Sequence, residues 1–172
     1  FLLLKSMKVR SDYAFFGSIA FAFSTYLIII LGVGHNTKAL AIGYTPLALA
    51  GFFKILNNRT LSGVVICSVG LGLQINANHY QMTYYFMMLM GLILILSTLF
   101  ERGDNLKSKF VKTGAFSSSV LIAILLNSSS IMATKEYSEF STRGNSEISI
   151  NSDGSEKTDL DGLSKDYITE YS

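Results

Sequence analysis

Residues 13–100 alternate long apolar runs with short polar breaks, and contain no Asp or Glu. An apolar helix needs roughly 20 residues to cross a hydrocarbon core of about 30 Å. Five runs approach that length: 13–33, 39–56, 61–75, 82–100 and 113–132. The first takes Ser11 or Asp12 as N-cap and Tyr13, Phe15 and Phe16 as interface aromatics. Its Ala14, Ser18 and Ala22 form a small-residue stripe suited to close helix packing. Gly32-Val-Gly34 ends it, and residues 35–38 read as a turn. The second run contains Pro46, which removes a backbone donor and predicts a kink. In the short third run, Gly63, Gly70 and Gly72 predict close packing or a break near its end. Serine clusters at 117–119 and 128–130 in the fifth are expected to bond back to their own helix.

Composition supports this pattern, with a mean hydropathy of +0.40 and 15% charged residues over 172 positions. Nine of the twelve acids lie after residue 132, so a polar tail follows an apolar body. The fold class expected is therefore all-α, a polytopic transmembrane bundle of about five spans over residues 1–132. A small extracytoplasmic α/β segment over 133–172 is expected to follow. In it, 135–140 reads as a helical turn, 146–150 alternates like a strand, and Asn151-Ser-Asp-Gly154 signals a turn. With so few apolar side chains the tail cannot build an independent core. The opening Phe-Leu-Leu-Leu without Met, and an ending without a stop signal, lead us to expect an internal fragment of a longer protein.

Basic residues set the expected orientation. Lys5, Lys8, Arg10, Lys54, Arg59, Arg102, Lys107, Lys109 and Lys112 fall in one set of loops, and before the tail only Lys38 falls in the other. By the positive-inside rule the first set is cytoplasmic. The turns at 34–38 and 76–81 and the tail from 133 then face outward.

Clear chemical signatures are absent. The chain has no Gly-rich phosphate loop, and two histidines with the single Cys67 are too few for a dedicated zinc site. Cys67 reads as a buried filler. Asn58-Arg-Thr60 and Asn127-Ser-Ser129 match the glycosylation sequon by chance, one on the cytoplasmic side and one inside a span. No cofactor is identifiable, a divalent metal in the full-length protein stays open, and no nucleic-acid partner is expected. The densest polar stretch is residues 73–85, where Gln74, Asn76, Asn78, His79 and Gln81 interleave with Tyr80, Tyr84 and Tyr85. Two readings fit it: the lining of a cavity, or an interfacial belt with helix caps. A second outward corner holds His35, Asn36 and Lys38. Together these groups can hold a phosphate or a sugar hydroxyl, with Glu136 and Arg143 of the tail closing over them. Taken singly, each is also what a capping or solvated residue looks like.

The runs Gly34-His-Asn-Thr-Lys38, Asn76-Ala-Asn-His-Tyr-Gln-Met-Thr-Tyr-Tyr85, Ala133-Thr-Lys-Glu-Tyr137, Ser141-Thr-Arg-Gly144 and Lys165-Asp-Tyr-Ile-Thr-Glu-Tyr171 resemble those of the YfhO family of large bacterial membrane proteins. The resemblance covers nearly the whole chain. It implies a protein of the GT-C glycosyltransferase type in the bacterial cytoplasmic membrane. Such a protein takes sugar from a polyprenyl-phosphate donor to a cell-envelope polymer acceptor on the outer face. In that class the catalytic acid sits in the first outward loop, which this chain is expected to lack, so no catalytic residue is assigned. Lys38 and Arg143 would neutralise donor phosphate. His35, Asn36, Asn76, Asn78, His79, Gln81, Tyr84 and Glu136 would hold donor or sugar groups. The alternative is a non-catalytic component of lipid or polymer translocation or envelope assembly. Membrane lipids are partners in either case.

Overall fold

The computed structural model describes residues 1–100 and 105–139, without the side chains of 138 and 139. The chain divides into two units, residues 1–127 and residues 128–172. In the first unit α1 (Leu2–Ser6), α2 (Ser11–Ala22) and α3 (Thr25–Gly32) precede α4 (Asn36–Leu56), α5 (Thr60–Asn76), α6 (Tyr80–Phe100) and α7 (Leu106–Leu126). The second contributes α8 (Ser128–Glu139). All regular structure among the described residues is helical. Four stretches are long and apolar enough to cross a membrane: Ser11–Gly32, Asn36–Leu56, Tyr80–Phe100 and Leu106–Leu126. The fifth apolar helix, α5, has only 17 residues.

The antiparallel pair α4–α5 forms the centre, with α7 packed on α5 and α1 on α4. Lipid is as apolar as leucine, so helices in a membrane associate through close packing and not by escape from water. Small residues supply that packing here. A Cβ built on Gly51 would collide with the backbone of Cys67, and one on Gly70 with the backbone of Ala48. A Cβ on Gly63 would lie 2.7 Å from Ile55 Cγ1 and 2.9 Å from the Gly51 carbonyl. Cys67 is buried in this seam, the filler expected of it. Phe52 of α4 meets Phe116 of α7 edge to face, with centroids 5.2 Å apart, and so closes the third side.

Several boundaries differ from the sequence reading. The expected first span is two helices, because Ser24 adopts an extended conformation (ψ 135°) and starts α3 afresh. Of the stripe Ala14, Ser18 and Ala22 only Ala14 is buried; Ser18 is half-buried, with its hydroxyl donating to the Ala14 carbonyl (2.6 Å), and Ala22 is exposed. Residues 36–38 are not a turn but the first turn of α4, which runs through Pro46 to Leu56. The last long helix starts at Leu106, not 113, because the Asn105 side chain caps it by accepting from Ser108 N at 2.8 Å. Lys107, Lys109 and Lys112 therefore ride on α7, and Lys112 is buried there instead of lying in a loop. That helix stops at Leu126, six residues early. Asn127 Nδ2 bonds sideways to the Gly72 carbonyl (3.1 Å) and back to the Ala123 carbonyl (2.9 Å). Ser118 and Ser119 both donate to the Ala115 carbonyl at 2.8 Å, the back-bonding expected of that cluster. The helical turn at 135–140 falls within α8 as far as Glu139, whereas the expected strand and turn of the tail lie outside the described residues.

Gly51→Ala should destabilise the bundle by roughly 1–3 kcal/mol through overpacking. Gly43→Ala, with nothing within 4 Å of its added methyl, should leave stability unchanged or raise it by about 0.5–1 kcal/mol. Thermal unfolding of the two variants in the same detergent checks the pair, and equal stabilities would refute the seam.

Candidate functional site: the polar end of the α4–α5 hairpin

Antiparallel pairing puts the start of α4 and the end of α5 at one end of the bundle. The two polar corners singled out from sequence, 34–38 and 76–81, therefore share that end. They are not level. The seam carries Thr45 opposite Gln74, whose Nε2 donates to the Thr45 hydroxyl at 3.3 Å. Thr45 lies nine positions after Asn36, about 13 Å along the axis, while Gln74 is two positions, about 3 Å, from Asn76. The end of α5 is thus recessed by about 10 Å relative to the start of α4.

Each residue can be placed on this step. His35 and Asn36 are exposed at the outer rim, and Lys38 is half-buried with its Nζ 5.7 Å from the centroid of the Tyr26 ring, a cation–π contact. On the recessed side Asn76, Asn78 and Gln81 are exposed, and Tyr84 is exposed with its ring beside Tyr85. Among the described residues, no hydrogen bond joins the side chains of His35, Asn36, Asn76, Asn78 and Gln81 to one another. Glu136 is exposed on α8 of the second unit, and Arg143 lies outside the described residues.

Asn78 has a backbone task of its own. Its φ of 57° is left-handed, and its N–H donates to the Ile75 carbonyl (3.0 Å) as it ends α5. Lys8, Gly34 and Asn58 adopt the same conformation after α1, α3 and α4, each with the paired closing bonds of a Schellman motif. Asparagine enters the left-handed region more readily than most residues, so two asparagines of the polar turns serve as helix stops.

Below the rim lies a layer of which sequence reasoning assigned only His79 to the site; Gln74 was noted in the polar stretch, and Thr45, Thr83 and Asn127 were given no role. Gln74 is 1% exposed, and its Oε1 has no partner among the described residues. Exchanging its amide oxygen and nitrogen would not help. The Thr45 hydroxyl already gives its proton to the Ala41 carbonyl at 3.0 Å, so it can only accept from Gln74. His79 is half-buried with an orphaned Nδ1, and its carbonyl accepts from Met82 N, Thr83 N and the Thr83 hydroxyl. Thr83 and Asn127 are buried as well. A buried polar atom without a partner costs roughly 1–3 kcal/mol. Two of them on adjoining segments make this layer the least satisfied part of the described chain. The signals in the sequence were the position of Thr45 beside Pro46 and of Asn127 inside an apolar run. Among the described residues, no three His, Cys, Asp or Glu side chains gather to hold a metal.

Comparison of the chain with protein families, characterised proteins and solved structures finds no match.

Asn78→Gly keeps the left-handed turn and should leave stability unchanged, whereas Asn78→Ala should cost about 1 kcal/mol. Denaturation of both variants, read beside function, separates the turn from a ligand contact. Loss of function in a stable Asn78→Gly protein would show that the amide itself is used.

Proposed function

We propose that this chain is part of an integral membrane glycosyltransferase-like protein. It would transfer sugar from a polyprenyl-phosphate donor to a cell-envelope acceptor at the outer face of a bacterial cytoplasmic membrane. The resemblance to the YfhO family supplies the reaction class. The observation that carries a binding role for this chain is the recessed polar layer, with Gln74 Oε1 and His79 Nδ1 unpartnered. Helix α4, at 21 residues, is about 31 Å long and matches a hydrocarbon core of about 30 Å. The end of α5 then lies at membrane depth, where unpaired amide and imidazole atoms favour a ligand rich in hydroxyl donors. On this reading the imidazoles and amides hold donor sugar groups, and Lys38 neutralises phosphate.

One observation favours the non-catalytic alternative. The layer contains only amides, hydroxyls and an imidazole, and residues 13–100 have no carboxylate to act as general base. The contribution of residues 13–100 is accordingly binding and orientation, and a translocation component would need the same groups.

Sugar transfer by the full-length protein from a labelled polyprenyl-phosphate sugar tests the enzyme. His79→Phe keeps the aromatic surface but removes both ring nitrogens, and should lower rate or affinity about 5- to 150-fold. Normal activity in a well-expressed His79→Phe protein would remove His79 from the site. Donor bound without turnover would favour translocation.

Orientation has its own test. In a Cys67→Ser background, single cysteines at Asn36 and Asn78 should react with an impermeant thiol reagent from outside. A cysteine at Asn105 should not, and the reverse pattern would invert the topology.

A further inference from the structure

The opposite end of the bundle gathers basic side chains from three distant stretches of chain. Two hydrogen bonds bring the stretches together. Asn57 Nδ2 donates to the Ser6 carbonyl at 3.1 Å, and the Ser108 hydroxyl donates to Asn58 Oδ1 at 3.3 Å. Neighbouring residues in the turn after α4 thus hold the end of α1 and the start of α7. Lys8 follows Ser6 by two positions, Arg59 follows Asn58, and Lys107 and Lys109 flank Ser108. Among the described residues the one ion pair is Arg10–Asp12, so none of these four faces a described carboxylate. Like charges held together repel, which favours an anionic occupant.

Large exposed apolar side chains adjoin the charges along the chain. Leu61 is 81% exposed, Leu106 75% and Phe110 76%, each within three positions of Arg59, Lys107 or Lys109. A soluble phosphate or a nucleic acid has no use for that apolar surface. A molecule with a phosphate at one end and hydrocarbon at the other uses both.

The geometry points to a docking rim for an anionic phospholipid. The phosphate sits among Lys8, Arg59 and Lys107, and the acyl chains run along Leu61, Leu106 and Phe110. This rim is independent of the proposed transferase activity and lies at the other end of the hairpin. Each Lys or Arg near an anionic membrane surface contributes about 1 kcal/mol, which is about fivefold in affinity.

Native mass spectrometry of the full-length protein with added phosphatidylglycerol or phosphatidylcholine tests it. Phosphatidylglycerol should be retained preferentially and released as salt rises. Lys8→Gln, Arg59→Gln and Lys107→Gln combined should weaken its binding about a hundredfold, while Lys8→Arg with Lys107→Arg should keep it. Equal retention of the two lipids would overturn the proposal, as would unchanged preference in the triple variant. Displacement by water-soluble glycerophosphoglycerol at the lipid's own concentration would overturn it too, since the apolar side chains would then contribute nothing.

Discussion

The close approach of α4 and α5 along Gly51, Gly63 and Gly70 is the contact on which the rest of this chain depends. Backbone meets backbone there, so the two helices can sit in only one register without a collision. Side-chain packing between larger residues would tolerate slippage, because flexible ends can rearrange. A glycine seam cannot, because the atoms in contact have no torsions to relieve a shift. Dispersion over such an interface is the available driving force where no water is released.

Register then decides where the polar groups fall. Thr45 is brought opposite Gln74, and the neighbouring face of α5 presents the Gly72 carbonyl to Asn127, which follows α7. Because α4 runs nine positions beyond Thr45 and α5 only two beyond Gln74, the end of α5 is left below the end of its partner. The step so formed places amides and an imidazole where solvent would otherwise satisfy them. Unpaired polar atoms in such a place lower stability, and proteins that retain them commonly use them for a ligand.

The ends of the helices obey a simpler rule. Three of them close with a residue in the left-handed conformation and the two hydrogen bonds of a Schellman motif. Asn58 shows how such a turn also does tertiary work, since its side chain holds Ser108 while its backbone stops α4. The charged rim at that end follows from the turns at Lys8 and Asn58, the first of which is itself a Lys and the second of which adjoins Arg59.

The helical class, the apolar stretches and most of the polar breaks are legible in the order of residues alone. Those properties follow from local composition and hydrogen-bonding capacity. The sequence also marked Gly63, Gly70 and Gly72 for close packing or a break, Cys67 as filler, and residues 73–85 as the polar stretch to watch. Tertiary structure decided what the local signal could not contain. The break at Ser24 is invisible in a stretch that is apolar on every side. The start of α7 at Leu106 was hidden because lysines on a helix and lysines in a loop read alike. Above all, the axial step between the corners at 36–38 and 76–81, and the burial of Gln74 beneath them, depend on which residue of α4 faces which residue of α5. That choice is made by three glycines touching backbone far along the chain, and no count of polar residues near His79 reports it.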